Sequence, residues 1–161
     1  MADIEELVVS RRHIKEFSAR PVAEEDVVAW LDAATHAPNH RMTQPWEVIF
    51  IGPETRAKLN HPADFGHAPL VMAILSKAPE NAIERDENLI STACLMQNFS
   101  LIAWSHGVGV RWTSIGWRQD IREILGVPEG YDVLVVGVGY PETVPAAKPR
   151  TPIAEKLRRL P

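Results

Sequence analysis

A cluster of basic side chains lies close to the N-terminus, in the stretch SRRHIKEF. Arg11, Arg12, His13 and Lys15 fall within five residues, and residues 10–20 carry a net charge of +3 although the whole chain carries −4. Guanidinium and ammonium groups are the natural counterions of phosphate, so this spacing indicates a local anion site. The alternative is that these cations only stabilise the negative end of a helix.

A second basic segment lies near the C-terminus. Residues 148–159 carry a net charge of +4, and Lys148 and Arg150 stand two apart in KPR, which puts them on one side of an extended segment. Two basic segments in an acidic protein suggest a site for one anion, and the net negative charge argues against nucleic acid as the main partner.

Two other stretches combine polar groups with an adjoining strand. APNHRMTQPW, from Ala37, is a proline-bounded loop rich in hydrogen-bonding groups that runs directly into the apolar strand WEVIFIG. VRWTSIG ends another strand with Trp112, Thr113 and Ser114. Both stretches place directed hydrogen-bonding groups at the end of a core element, which is typical of ligand-binding sites.

Several other kinds of site are disfavoured. The glycine pairs Gly107–Gly109 and Gly137–Gly139 lack the third glycine and the helix of a dinucleotide fingerprint, so we interpret them as strand-end glycines. His36 and His40 have metal-pair spacing, but Pro38 breaks the helix between them, and we predict no metal site. No residue stands out as an essential catalytic acid, base or nucleophile.

The length and composition of the chain restrict the class of protein. Its 161 residues fit one domain, 1–161, and its single cysteine, Cys94, allows no internal disulfide. The acidic start MADIEELVV does not fit a signal peptide, and no apolar run reaches the roughly 18 residues of a membrane helix. We therefore expect a cytoplasmic protein without a membrane partner.

The elements that position these groups follow from periodicity and turn residues. Helices are predicted from Asp3 to residues 10–12, between Arg20 and Pro38, at PETRAKLN, over residues 84–106, at RQDIREILG and in a basic C-terminal tail. Strands are predicted at WEVIFIG, LVMAILS, GVGVRWTSIGW and YDVLVVGVGYP. The long helix 84–106 has small or apolar residues all round, which predicts burial on most sides, as in a core helix or an oligomer contact. We predict an α+β fold with a mixed central sheet flanked by helices.

This ordered series resembles the nitroreductase family of flavin oxidoreductases. The resemblance rests on RRHIKEF, on APN followed by QPW, on the helix CLMQNFSLIAWSHGVGV, on the strand end GVGYP and on KPR. QPW after an AP loop, with the arginine pair upstream, is the most specific element. It implies a nitroreductase-like, dimeric fold and an FMN-dependent enzyme that uses NADH or NADPH and a small electron acceptor, such as a nitroaromatic or quinone.

The resemblance also implies roles for particular residues. Arg11, Arg12 and His13 would line the ribityl chain and pyrimidine edge with Lys15 nearby; Lys148 and Arg150 would complete the phosphate site; His36, Pro38, Asn39, His40 and Met42 would come from the other subunit of a homodimer; Trp112, Thr113 and Ser114 would lie along the isoalloxazine ring. The family often has serine at the position of His13 and a polar amide at that of Met42.

Two other readings remain open at the level of sequence. One is a flavin-binding carrier, sensor or scaffold dimer without turnover, which the short region between Leu59 and Asn88 favours. The other is a globular dimer without a cofactor, in which the arginines only cap a helix.

Overall fold

A four-stranded antiparallel sheet forms the centre of the protein in a computed structural model, which describes residues 3–160. The spatial order is β1–β2–β4–β3, and β2 pairs with both β1 and β4. The strands are β1 (Trp46–Phe50), β2 (Leu70–Lys77), β3 (Gly109–Thr113) and β4 (Tyr131–Gly139). The two middle strands carry the most continuous apolar runs, and residues 71–76 of β2 are buried throughout, as expected for a sheet covered on both faces.

Six helical segments and three short 3-10 turns surround the sheet. The helices are α1 (Ile4–Ser10), α2 (Glu24–Ala34), α3 (Pro53–Leu59), α4 (Asp64–His67), α5 (Ala82–Ser105) and α6 (Gln119–Ile124). The 3-10 turns are His40–Met42, Ile115–Trp117 and Ile153–Lys156. Helices and strands do not alternate regularly, so the predicted α+β class is confirmed.

The two faces of the sheet have separate apolar cores. On one face, α2 and α5 pack through Val27, Leu31 and Phe99 against β2 and β4. On the other face, Ile14 and Phe65 from irregular segments pack with α6 against the same strands. The second core matters for function, because it fixes the segment that carries the N-terminal basic cluster.

The ends of the helices follow the capping residues in the sequence. The Asp3 carboxylate accepts a hydrogen bond from the backbone N–H of Glu5 at 3.3 Å. The Asn81 side chain accepts from the N–H groups of Ile83 and Glu84 at 3.0 and 3.2 Å, which begins α5 two residues before the predicted start.

The long helix α5 buries only one of its faces within the chain. Leu95, Met96 and Phe99 are buried, whereas Leu89 and Ile90 are 42% and 64% exposed. The expectation that the sequence buries this helix on most sides is therefore wrong for the single chain, since one sheet covers only one stripe of a helix. An exposed apolar stripe of this kind is typical of a surface that contacts another molecule.

Two details of the predicted architecture need correction. The sheet is antiparallel rather than mixed, and within residues 3–160 the parallel pairing is confined to one isolated bridge, His13 to Val110. The basic C-terminal tail forms a 3-10 turn at Ile153–Lys156 rather than a helix. Pro152 begins that turn, and the segment is exposed, so no packed face supports helical extension.

Three of the four glycines in the two pairs lie in strands, whereas Gly107 lies in the turn between α5 and β3. A Cβ at Gly109 would overlap Ile14, and a Cβ at Gly137 would come within 2.9 Å of the Ala68 Cβ. The interpretation as strand-end glycines is confirmed for Gly109, which begins β3, and for Gly139, which ends β4. Gly137 lies inside β4, and Gly107 has φ +75° in a turn with open space around it. Within the described helices, none is both long and apolar enough to cross a membrane.

Candidate functional site

The N-terminal basic segment runs along the outer edge of β3. His13 bridges to Val110 in parallel, and Phe17 bridges to Pro141 in antiparallel. Ile14 and Phe17 are buried at 0% and 5% exposure, whereas His13 and Lys15 are exposed. Because side chains of an extended segment alternate between faces, the buried Ile14 turns His13 and Lys15 outward together.

The other end of this segment is fixed by α5. The indole N–H of Trp104, in the last turn of α5, donates to the Ser10 hydroxyl at 3.0 Å. Arg12 then folds back on α1 and donates through Nη1 to the carbonyl oxygens of Val9 and Ser10, both at 2.8 Å. Arg12 therefore caps the end of α1, which is the helix-end role that its position in the sequence left open.

Two guanidinium nitrogens of this segment lack partners. The Nε atoms of Arg11 and Arg12 are buried and have no hydrogen-bond acceptor among the described residues. A buried donor without an acceptor costs about 1–3 kcal/mol, so such a donor is more readily understood beside a ligand that supplies an acceptor.

A further cation, Arg111 of β3, joins the group. Its Nη1 donates to the backbone carbonyl of Lys15, across the edge of the sheet. Partial burial, followed by the charges of Arg111, Arg11 and Lys15, lowers the pKa of His13 below its ordinary value. The neutral imidazole is thus favoured at the centre of three permanent cations.

Sequence reasoning singled out the stretch VRWTSIG but did not assign a role to its arginine. A charged residue between Val110 and Trp112 in a core strand was the available signal, because such a position is normally apolar. The contacts of the Arg111 side chain depend on which segment crosses the edge of β3, and local sequence patterns do not give that packing.

A cleft of about 290 Å³ opens beside Arg111 and Lys15. Glu16, Ala63, Gly66 and His67 line the rest of it. Burial and Arg111 lower the pKa of the adjoining His61 as well. The cleft therefore carries the positive charges of Lys15 and Arg111, and Arg111 also acts on the nearby imidazoles of His13 and His61. This arrangement favours an anionic or oxygen-rich ligand.

The short segment α4, which supplies Gly66 and His67 to this cleft, has an unusual, largely non-helical backbone. Asp64, Phe65, Gly66 and His67 all have positive φ, between 39° and 72°. Phe65 is buried at 0% exposure, and Arg56 holds the loop by donating to Asp64 Oδ1 at 2.7 Å and to the Ala68 carbonyl at 2.5 Å. A conformation this uncommon for non-glycine residues persists only where its surroundings enforce it.

The C-terminal basic segment leaves the sheet next to this group. The N–H of Glu142 donates to the Glu16 carbonyl at 3.1 Å, and the N–H of Ser18 donates to the Tyr140 carbonyl at 2.9 Å. Lys148 and Arg150 follow in an exposed, extended tail, where Arg150 donates to the Lys148 carbonyl at 3.3 Å. The structure thus anchors the tail beside the N-terminal segment, while its two cations lie in solvent.

The proline-bounded loop lies elsewhere, against the first half of α5. The Asn39 amide donates to the Ala37 carbonyl at 3.2 Å, and its oxygen accepts from the Gln44 N–H at 3.0 Å. Pro38 is exposed, as is His36 at the end of α2. Met42 is 71% exposed and has positive φ, so the loop is rigid yet presents an apolar side chain to solvent.

This loop and the basic cluster occupy opposite ends of α5. His40 Nδ1 lies 3.8 Å from Glu87 near the start of the helix, whereas Ser10 bonds Trp104 in its last turn. Seventeen residues at about 1.5 Å each separate Glu87 and Trp104 by roughly 25 Å along the axis. Within one chain, the structure does not bring residues 36–42 to the basic cluster.

Not all polar side chains at the end of β3 are available to a ligand, because one of them is hydrogen-bonded within the chain. Thr113 Oγ1 donates to the Val135 carbonyl at 2.8 Å, and Ser114 is exposed at the start of a 3-10 turn. Trp112 is 37% exposed and, with Trp117, lines a smaller cavity of about 140 Å³ between α5 and the sheet. Among residues 3–160, no group of three or more His, Cys, Asp or Glu side chains is arranged to hold a metal.

A helix-flanked antiparallel sheet with a basic segment along its edge is a nitroreductase-like fold. The nitroreductase-like protein from Bacillus cereus superposes with a TM-score of 0.90 at 26% identity, covering 99% of this chain and 97% of that one. Nitroreductase A from Vibrio parahaemolyticus gives a TM-score of 0.87 at 21% identity over 99% of this chain and 75% of its own.

The chain belongs to the nitroreductase family. The family model matches residues 8–64 and 54–140. A Bacillus subtilis protein with the provisional name NAD(P)H nitroreductase YfhC is 28% identical over 98% of this chain and 94% of its own. An Archaeoglobus fulgidus protein, provisionally named NADH dehydrogenase/NAD(P)H nitroreductase, is 30% identical over 88% of this chain and 87% of its own. The resemblance drawn from the sequence is confirmed, and the family places the chain among oxidoreductases.

Proposed function

We propose that the protein is an FMN-dependent oxidoreductase that uses NADH or NADPH to reduce a small acceptor such as a nitroaromatic or a quinone. FMN, when bound, would supply the redox chemistry at its N5, by hydride transfer from the nicotinamide followed by reduction of the acceptor. The chain's own residues bind and orient the cofactor and tune its environment.

The observation that carries this proposal is a group of cations at and beside one cleft. Lys15 and Arg111 line the cleft, their charges and that of Arg11 act on His13, and the buried Nε of Arg11 has no acceptor among the described residues. A flavin phosphate, which is nearly a dianion, and the oxygen-rich rim of an isoalloxazine both supply acceptors of the kind that these groups require. The donor set therefore fits FMN.

The predicted site residues differ in whether their hydrogen-bond donors are already used within the chain. Arg11 and Lys15 have uncommitted donor groups for the cofactor, and His13 stands between them. Arg12 donates three hydrogen bonds to carbonyl oxygens at the end of α1, so its role in FMN binding is to fix the conformation of the N-terminal basic segment. Lys148 and Arg150 complete the phosphate site when the exposed tail folds against the ligand.

The active unit in this proposal is a homodimer. The loop containing Asn39 and His40 lies about 25 Å along α5 from the basic cluster of its own chain, estimated from the helical rise. A second copy placed antiparallel across the exposed stripe of α5 brings its loop, with Pro38 and Met42, to this chain's cluster. It also covers Leu89 and Ile90, whose exposure in the single chain is unfavourable.

Solved relatives support the choice of cofactor without deciding it. An NADPH:FMN oxidoreductase from Vibrio harveyi, in a complex with NAD⁺, superposes on this chain with a TM-score of 0.83 at 22% identity. At that identity the likeness shows the fold, and the cofactor is inferred from the fit of this chain's own cations.

Reconstitution with FMN tests the proposal. Protein purified with added FMN should retain visible flavin absorption after gel filtration, and that absorption should bleach with NADH or NADPH and return when a quinone is added. A yellow protein that neither nucleotide bleaches would indicate a carrier without turnover. A folded, colourless protein that gains no colour with FMN would contradict flavin binding altogether.

A further inference from the structure

We propose that Arg111 is a cofactor-binding residue that holds an oxygen-bearing edge of the isoalloxazine ring and raises the reduction potential of the bound flavin. This inference rests on the proposed flavin function and adds a residue to it. It concerns a side chain that the sequence resemblance did not assign.

The position of Arg111 is fixed by its place in β3 and by a hydrogen bond. Arg111 is half-buried in β3 between Val110, which is 4% exposed, and Trp112. Its Nη1 is tied to the Lys15 carbonyl, which fixes the plane of the guanidinium at the mouth of the cleft. A guanidinium held at one nitrogen keeps several further N–H donors in a rigid fork, and such a fork matches a planar acceptor edge.

Gly66 of α4 leaves room for the contact between Arg111 and the Lys15 carbonyl. A Cβ at Gly66 would overlap the Lys15 carbonyl oxygen and lie 2.8 Å from Arg111 Nη1. Glycine with φ +72° is therefore what allows loop, segment and guanidinium to meet at one point. The only carboxylate lining the cleft is that of Glu16, and Arg111 makes no ion pair with it among the described residues.

The positions of the other cations favour a contact of Arg111 with the isoalloxazine ring and not with the phosphate. Lys148 and Arg150, on a tail that starts beside Glu16, are free to meet a mobile, solvent-facing phosphate. Arg111 is instead rigid and half-buried, which suits the rigid part of the cofactor. Burial, followed by the charge of Arg111, lowers the pKa of His13 and His61, which places the guanidinium near both imidazoles.

The energetic consequence is a dependence of the redox equilibrium on Arg111. Reduction adds negative charge to the isoalloxazine, so a fixed cation at its rim binds the reduced cofactor more tightly than the oxidised one. If Arg111→Gln weakens binding of reduced flavin tenfold more than that of oxidised flavin, the two-electron midpoint potential falls by about 30 mV.

The experiment compares wild type with Arg111→Gln, Arg111→Lys and the control Arg118→Gln. Arg118 is an exposed arginine paired with Asp120 and lines neither cleft. FMN and riboflavin affinities are measured by quenching of flavin fluorescence, and midpoint potentials are measured at saturating flavin. Circular dichroism checks folding. Arg111→Gln should lose about tenfold affinity for both ligands, near 1.4 kcal/mol, and lower the potential; Arg111→Lys should recover part of the potential, and Arg118→Gln should match wild type.

The outcomes separate this inference from the function on which it rests. A wild-type protein that binds no flavin overturns both. A flavin-binding wild type with unchanged affinity and potential in Arg111→Gln overturns the role of Arg111 alone. Loss of FMN affinity with intact riboflavin affinity would place Arg111 on the phosphate and contradict the ring contact. A purely structural role would weaken affinity yet leave the potential of the saturated variant unchanged, which also contradicts the proposal.

Discussion

Trp104, in the last turn of α5, donates its indole N–H to the hydroxyl of Ser10 at 3.0 Å, immediately before the arginine pair. This bond fixes where the N-terminal basic segment begins, at one end of the longest helix. The proline-bounded loop lies against the other end, through His40 and Glu87. The site that we propose follows from this separation, because two such ends meet only when two chains pack side by side.

Removal of the cations that have uncommitted donors should weaken FMN binding. Arg11→Ala and Arg150→Ala should each cost about 1.5–3 kcal/mol, the range for a hydrogen bond to a charged group. Fluorescence titration of the apoprotein measures the loss, with Arg118→Ala, at an exposed arginine, as the control. If both site variants bind FMN as tightly as wild type, the phosphate site is misplaced.

Arg12→Ala should behave differently from Arg11→Ala. Arg12 bonds three carbonyl oxygens at the end of α1, so its loss should lower the free energy of unfolding by about 1 kcal/mol through the lost cap. Both substitutions remove a buried Nε that has no acceptor among the described residues, so the lost cap is what distinguishes them, and Arg11→Ala should leave the stability of the apoprotein unchanged or slightly raised. Urea denaturation of the two variants without flavin distinguishes them, and equal destabilisation would contradict this division of roles.

Gly66→Ala should destabilise the protein more than Gly107→Ala. Both glycines have φ near +70°, at +72° and +75°, so an alanine at either should carry about 1–2 kcal/mol of backbone strain. Only at Gly66 would the new methyl group also overlap the Lys15 carbonyl, whereas Gly107 has open space around it. Denaturant midpoints measure the difference, and equal losses would show that the loop and the Lys15 segment are not packed as described.

The folded protein should lose stability as the pH falls through the histidine range. His13 has its folded-state pKa lowered, first by desolvation and then by Arg111, Arg11 and Lys15. The unfolded chain therefore binds more protons between that folded pKa and the ordinary value of 6.5. The free energy of unfolding falls across this window and levels off below it.

Arg111→Gln should raise the pKa of His13 toward its ordinary value, because one of the neighbouring charges is gone. Proton NMR titration of the imidazole in the flavin-free protein measures this shift, with Arg118→Gln as the unshifted control. Bound FMN should raise the same pKa through its negative charge. A His13 pKa that neither Arg111→Gln nor FMN changes would show that these groups do not share one cleft.

The exposed stripe of α5 should be needed for dimerisation. Ile90→Glu puts a charge on a side chain that is 64% exposed in the single chain and buried in the proposed dimer, so it should shift the protein toward monomer. Ala57→Glu, on an exposed position of α3, is the matched control. Sedimentation velocity reports the state, and an intact dimer in Ile90→Glu would move the interface elsewhere.

Much of this fold was predictable from local patterns. LVMAILS and VLVVGVG are apolar throughout and form the middle strands, and the caps Asp3 and Asn81 together with Pro53 mark helix starts. The antiparallel pairing was not predictable, because short apolar runs do not encode the direction of their neighbours. The C-terminal tail was predicted as a helix from its composition, yet it lacks any packed face within the chain.

The candidate site was predictable only in part. The spacing of Arg11, His13 and Lys15 pointed to an anion site, and the resemblance supplied the family. Arg111 was missed because its role depends on the segment that crosses β3 next to it, a contact between residues 96 positions apart. Arg12 was grouped with Arg11, although the two side chains turn to different partners, since sequence adjacency says nothing about which backbone carbonyls a guanidinium reaches.

The measurement that bears most directly on the shared site is FMN stoichiometry in a heterodimer of two defective chains. One chain carries Arg11→Ala, and its differently tagged partner carries Met42→Glu, which places a negative charge on the loop expected to cover the anionic cofactor. Each homodimer should bind FMN weakly at both sites. The heterodimer has one site with both substitutions and one with neither, so it should bind a single FMN with wild-type affinity. Heterodimers that bind no better than the two homodimers would contradict a site built from two subunits.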